Sequence, residues 1–548
     1  MHKLARHYYA IVDRLTEDTE QTMHIARLRR LWHAAYVACA TVACMLMAPL
    51  AGAQGSASPD SVVVTRHQIA IGGRTLKYTA TAGLIAIANN DAGDVHGRMF
   101  FVAYTVDRQP GSPPRPLTFL WNGGPGSSSS QVHLLGFGPR RLKTADTYPT
   151  QPFFTGADLV DNQETWLDES DLVFVDPVGT GYSRPTKPEY ASEFYNAQGD
   201  IASVAELIRV YRTRFNAFDA PLYLAGESYG VTRAMGVAEA LERRRTAVAG
   251  VILISNGLQA GQVIPPNINS ALVVQRFAAT ALYHKKLAAD LQSNEKDAMR
   301  KAETWARTEY AAALARRDSL SPGDRAAIVD QLRRFTGVDS SLVDQKTLTI
   351  SPNALTNRLL MDRNLELGRY DTRTSMRRSA DTTTWQPTTD PSLRPVLDLM
   401  LGTSVPLIRY LRNELGFRSD LLYQGPFGEG YPGSTAFRGD WMSTRWGRGG
   451  AGAATPATSA AAPATPPAPL QTAMTIDPSL RVLVLGGLYD TVVPTCASID
   501  EAIARVDATI RPRFSARCYP GGHMMYTDKT VRADMKRDVT AFIRGKDR

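Results

Sequence analysis

The spacing of apolar positions changes character along the chain, and each change marks a different kind of element. From Arg66 the stretches HQIAIGG, RTLKYTATAGLIAI and RMFFVAYTV alternate apolar with polar or small residues and are separated by Gly, Asn and Asp. A period of two puts the apolar side chains on one face, so this segment predicts an antiparallel hairpin region opening a sheet. Short unbroken apolar runs follow: LTFLW near 118–121, LVFVD at 172–176, LYLAG at 222–226, GVILIS at 250–255 and RVLVLGG at 481–487. Unbroken runs suit strands covered on both faces, as in a parallel sheet. Helical periods lie between them, at Asp200–Phe215 and Val231–Arg245. Strand and helix in alternation predict an α/β fold. From about Asn267 to Leu415 the strand signal lapses and charged, Ala-rich helical stretches replace it, which predicts a helical cap inserted into the core.

The remaining boundaries follow from composition. Residues 447–470, GRGGAGAATPATSAAAPATPPAPL, hold too little apolar surface to order themselves and predict a low-complexity loop inside the domain, since a core strand follows. The expected organisation is a leader at 1–53, core at 54–266, cap at 267–415, a return to the core at 416–446, the loop, and the last part of the core at 471–548. With 43% hydrophobic and 21% charged residues the chain is globular rather than disordered or fibrous. Its net charge is +9, and many of the excess bases sit in the first thirty residues or scatter singly. No basic stripe is interleaved with aromatics, which argues against a nucleic-acid partner.

Arg27 to Arg30 precede an apolar run from Ala34 to Leu50, closed by Ala51-Gly52-Ala53. That order predicts a secretory signal peptide, with Met23 as an alternative start, and places the mature protein in the periplasm or outside the cell with no stable membrane partner. An uncleaved anchor is the competing reading, because the run approaches bilayer length. Cleavage leaves Cys496 and Cys518, which an oxidising compartment allows to pair. Two buried thiols are the alternative.

The chemistry begins at Gly226-Glu227-Ser228-Tyr229-Gly230, directly after LYLA and directly before a helical period. Strand, GxSxG and helix in succession predict a nucleophile elbow, a sharp turn that projects the serine hydroxyl at the carboxyl end of the sheet. A serine needs a base, and the base a carboxylate to hold its tautomer. Asp490 follows RVLVLGG and His523 follows RFSARCYP, so the triad Ser228, Asp490, His523 occurs in the chain order of this fold. A solvated turn carboxylate and a satisfied loop histidine are the bland alternatives. Trp121-Asn122-Gly123-Gly124-Pro125-Gly126 closes an early strand as a Gly-rich loop whose N–H groups can polarise an oxyanion. No metal or cofactor is needed for such chemistry.

Together NGGPGSSS, DPVGTGYS (Asp176 to Ser183), GESYG, the YD of GGLYD and the GGHM near the end resemble the serine carboxypeptidase family, in family order across nearly the whole mature chain. The resemblance implies an α/β-hydrolase fold with a central mostly parallel sheet and an inserted helical cap. It implies release of C-terminal amino acids from peptide substrates through an acyl-enzyme on Ser228. It also implies oxyanion N–H groups from Gly124 and Tyr229, recognition of the substrate carboxylate by Asn122 and Glu227, and a leaving-residue pocket lined by Met524. Two positions depart from the family. Ser127 stands where its motif has Cys, and Gly136 stands where many members carry a Glu that pairs with the Glu of GESYG. Loss of that paired acid puts an acidic pH preference in doubt and leaves Arg140 or Arg141 as candidates for the carboxylate. An esterase or acyltransferase on the same scaffold, and a catalytically dead binding protein, are the competing functions.

Overall fold

The computed structural model describes residues 62–143, 159–258, 264–378, 389–425 and 468–547. The expected leader at 1–53 and nearly all of the low-complexity stretch fall outside the described residues. A ten-stranded sheet organises the rest. Its principal strands are β1 (Val62–Ile71), β2 (Arg74–Ala88), β3 (Val95–Val106), β4 (Leu117–Trp121), β5 (Asp171–Val175), β6 (Leu222–Glu227), β7 (Gly250–Ile254), β8 (Arg481–Gly487) and β9 (Phe514–Tyr519). They lie in the order β1-β2-β3-β5-β4-β6-β7-β8-β9, with the two-residue strand Arg184–Pro185 paired onto β3.

The two periodicities seen in the sequence divide this sheet. β1, β2 and β3 form an antiparallel meander, and β3 is antiparallel to β5. From β5 to β9 every pairing is parallel. The unbroken apolar runs are explained by burial on both sides. In β7, Val251 and Leu253 join one core cluster while Ile252 and Ile254 join the other. In β8, Val482 and Val484 face one way and Leu483 and Leu485 the other. Helices α1 (Ala197–Arg214) and α2 (Tyr229–Arg243) supply Leu207, Ile208, Ala234 and Val237 to the first cluster. The other face is covered by Val531, Met535, Val539 and Phe542 from a C-terminal helix and by residues 393–417.

A third cluster, from Ala271 to Leu367, forms the core of the insertion, beginning with α3 (Pro266–Tyr283). This core is narrower than the expected 267–415: Leu393, Leu399, Leu407 and Leu415 pack on the sheet instead. Nor is the insertion purely helical, since Leu365–Leu367 pairs with Ser375–Arg377 as a short antiparallel hairpin. Sequence period reads which side of a helix is apolar, not which core that side meets, so the boundary shifted.

Because β4 and β6 to β9 run the same way, their carboxyl ends share one edge, and the loops after them converge there, where open α/β sheets bind ligands. Cys496, the first residue of α4 (Cys496–Ala504), is joined by a disulfide to Cys518 in β9, with Cα atoms 5.7 Å apart. The bridge ties the segment after Asp490 to the strand leading into His523. Closing a loop of 22 residues restricts the unfolded chain, and its loss is expected to cost about 3 kcal/mol. Denaturant unfolding of the Cys496→Ser, Cys518→Ser double variant against the unreduced protein measures this, and equal midpoints would show that the bridge adds no stability.

Candidate active site

Ser228 sits between β6 and α2 with φ 59° and ψ −128°, a conformation that a residue with a Cβ adopts only when its surroundings hold it there. Those surroundings are visible. Ser228 N–H donates to Ile254 O at 2.9 Å, and the Asn256 amide donates to Ser228 O at 3.0 Å. An added Cβ at Gly226 would lie 2.0 Å from Gly230 O, so only glycine lets the turn close. Every residue from Leu222 to Gly230 is buried except Ser228, which is half-exposed. The turn therefore presents one side chain.

The loop after β4 packs against this turn. At Gly123 a Cβ would stand 2.4 Å from Tyr229 N, and the Trp121 indole N–H donates to Gly230 O at 2.9 Å. The backbone around Gly123 and Gly124 thus meets the first residue of α2, whose N–H is outside the helix's own hydrogen-bond ladder. Asp176, opening DPVGTGYS, pins the far end of the loop: its carboxylate accepts from Ser129 N–H at 2.7 Å and from the Ser129 hydroxyl at 2.8 Å. Burial pushes Asp176 up to about 6, against these two donors.

Asp490 and His523 meet on the same edge. His523 Nδ1 lies 2.7 Å from Asp490 Oδ2, and the other carboxylate oxygen accepts from Val492 N–H at 2.8 Å. An ionised carboxylate only accepts, so Nδ1 carries the proton and Nε2 keeps its lone pair. Nε2 faces the elbow, 3.8 Å from Glu227 Oε1. Backbone ties the Ser228 turn to this pair: Ser228 N–H donates to Ile254 O, and the adjacent Ser255 hydroxyl donates to His523 O. His523 N–H donates to Tyr370 O at 2.6 Å. Burial is the largest influence on His523 and opposes its charge. The Asp490 charge and hydrogen bond, with Glu227 behind them, outweigh burial and raise the imidazole above its usual 6.5.

Asn122 and Glu227 form a buried pair beside the imidazole. The Asn122 amide NH2 donates to Glu227 Oε2, while its Oδ1 accepts from Val132 N–H at 3.0 Å, which fixes the orientation of the amide. Burial raises Glu227 above the ordinary carboxylate range, opposed by His523 and the Asn122 donor and reinforced by Asp490. So the elevated proton affinity expected from a second acid arises here from desolvation. Arg140 and Arg141 do not serve this pair. Arg140 binds Asp161 at 2.7 Å and Glu414 at 3.3 Å, and Arg141 donates to Leu142 O. Their place on the short strand Arg140–Leu142 directs them elsewhere. Met524 follows His523 and is half-buried against the sheet-face core.

Several residues at the site carry no local sequence signal. Arg233, fully buried on α2, donates to Asp200 at 2.8 Å and to Asn122 O at 2.7 Å. It thereby bolts the Gly-rich loop to two helices. From the cap, Tyr370 sets its ring edge-on to His523, centroids 5.1 Å apart. Arg276 of α3 reaches Val493 O beside Asp490, and burial lowers it to about 10. Arg276 interrupts an apolar helical stripe, the one hint the sequence offers.

The model of the serine carboxypeptidase family matches residues 74–349, half of the chain, including the elbow and the Gly-rich loop but neither Asp490 nor His523. A pheromone-processing carboxypeptidase kex1 of Aspergillus niger is 33% identical over 148 residues, covering 26% of this chain and 22% of that protein. One from Neurospora crassa is 29% identical over 226 residues, covering 41% and 28%. The chain thus spans about a quarter of the length of the curated relatives it matches. Among solved structures, a prohormone-processing carboxypeptidase from Saccharomyces cerevisiae has a TM-score of 0.48 and 15% identity, covering 85% of this chain and 91% of that one.

Removing Arg233 should leave the Asp200 carboxylate buried without its cation. We expect Arg233→Ala to lose about 3–5 kcal/mol of stability in denaturant unfolding. A loss below 1 kcal/mol, about what an exposed pair gives, would mean that the network does not hold the loop.

Proposed function

Because the chain belongs to the serine carboxypeptidase family, we propose that it is a serine-type carboxypeptidase that releases C-terminal amino acids from peptides through an acyl-enzyme on Ser228. His523 Nε2 takes the Ser228 proton as the oxygen attacks the scissile carbonyl, and Asp490 stabilises the imidazolium that forms. The oxyanion is met by the N–H groups of Gly124 and Tyr229. His523 then gives its proton to the leaving amine, the C-terminal amino acid departs, and water admitted to the vacated site hydrolyses the ester with His523 again as base.

One observation carries the substrate class. Glu227, which accepts from the Asn122 amide, places its Oε1 3.8 Å from the nitrogen that handles the proton. An acceptor-rich group held there sits about one residue from the scissile bond, which suits a free α-carboxylate. The Asn122 amide donates to it, and Glu227 donates when protonated. Met524, next to His523, would border the leaving side chain. Export through the leader at 1–53 belongs to the same proposal, and among the described residues no helix is long and apolar enough to cross a membrane.

Replacing Ser228 by Ala removes a half-exposed hydroxyl and no core packing, so turnover should fall roughly a millionfold with the thermal midpoint unchanged. Near-normal turnover would refute the assignment. The two raised pKa values set opposite limbs. His523 must be neutral, so turnover of an uncharged ester should fall as pH drops through a midpoint above 6.5. Glu227 must be protonated to donate, so preference for a free acid should weaken as pH rises through its elevated value. Comparing a blocked dipeptide with its C-terminal amide from pH 4 to 8 tests this, and equal turnover of acid and amide at every pH would eliminate the carboxylate site.

A further inference from the structure

Tyr526 has no part in the roles assigned above, yet it is built into the carboxylate pair. It lies in a single 3-10 turn, Met525–Thr527, three residues beyond His523, and is completely buried. Its ring is clamped: Phe137 meets it edge-on at 5.2 Å, and a Cβ added at Gly136 would stand 3.2 Å from its Cδ2 and 3.3 Å from its Cγ. A side chain at position 136 therefore requires this ring to give way by a few tenths of an ångström. From behind, Arg532 donates to Tyr526 O at 2.8 Å.

The hydroxyl at the end of this fixed ring is buried and has no hydrogen-bond partner, an uncommon state that calls for a reason. Its polar neighbours are the Glu227 carboxyl and the Asn122 amide. Both stand close enough to bear on the hydroxyl as hydrogen-bonding groups, so a small adjustment of the O–H brings it onto the carboxyl. The other ionisable groups bearing on Glu227 are His523 and Asp490, and the Tyr370 hydroxyl from the cap also feels its charge. None of these is a second acid stacked on it from position 136.

We propose, resting on the carboxylate-site reading above, that Tyr526 is a positioning residue: by donating its hydroxyl to Glu227 it holds that carboxyl toward the substrate and sets the pH at which the preference for a free C-terminus is lost. A phenol suits this because it donates without charge, and burial followed by the nearby Glu227 charge pushes its ionisation well above the ordinary range. A donor to the ionised form favours that form, so the phenol limits how far burial raises Glu227. Its removal should raise Glu227 further.

The test uses the full chain and two variants, Tyr526→Phe, which deletes only the oxygen, and Gly136→Ala, which displaces the ring. The readout is the ratio of kcat/KM for a blocked dipeptide acid to that for its amide, followed from pH 4 to 9, so that any loss common to both substrates cancels. The midpoint at which the ratio declines should move upward by about half a pH unit or more in both variants. A wild-type preference for the acid whose midpoint is unmoved in Tyr526→Phe overturns the role of Tyr526 alone. Absence of any preference in the wild type overturns the carboxylate site and this proposal with it. Should Tyr526→Phe fold poorly, as judged by its thermal midpoint, Gly136→Ala decides by the same shift.

Discussion

How closely three pieces of backbone can approach at one end of the sheet governs the site. The β6 turn, the loop after β4 and the first turn of α2 come within distances that no Cβ tolerates: 2.0 Å between a side chain at Gly226 and Gly230 O, and 2.4 Å between one at Gly123 and Tyr229 N. Ser228, in the middle, keeps its Cβ at φ 59° because Ile254 O and the Asn256 amide grip its backbone on both sides. The hydroxyl is thereby aimed by the packing of its neighbours, and its own rotamer is the only freedom left.

Desolvation then supplies the electrostatics. Glu227, Asp490 and His523 are all nearly inaccessible to solvent, so each charge is felt strongly by the others. Burial favours a protonated Glu227 and a neutral His523, while Asp490 pulls the imidazole toward its charged form. A neutral acid beside a neutral base is the state in which one group can bind a carboxylate and the other can accept the serine proton. The deeply buried Arg233, Asp200 and Asp176 belong to the same scheme, since their hydrogen bonds fix the loop that carries Asn122.

Much of this arrangement was legible in the sequence, because much of it is local. The switch from alternating to unbroken apolar runs marks where the antiparallel meander gives way to strands buried on two faces, as Val251 to Ile254 illustrate. GESYG and NGGPG announce close approaches through their glycines. What escaped was long-range. Arg233 lies 33 residues from Asp200 and 111 from the Asn122 carbonyl, so its burial leaves no periodic trace in VTRAMG. Tyr370 and Arg276 reach the site through the docking of the insertion, and Tyr526 is informative only once its ring is seen against Gly136. Arg140 and Arg141 show the same limit of a local reading. Nearness in sequence to Gly136 did not reveal that their partners are Asp161 and Glu414.

The central claim is that one serine is activated by the His523–Asp490 pair, and covalent labelling tests it most directly. Treatment with a sulfonyl fluoride or fluorophosphonate, followed by proteolysis and mass spectrometry, should find the adduct on the peptide containing Ser228. The labelling should be abolished in His523→Ala. Adduct at another residue, or labelling of Ser228 that is as fast without His523 as with it, would contradict the account.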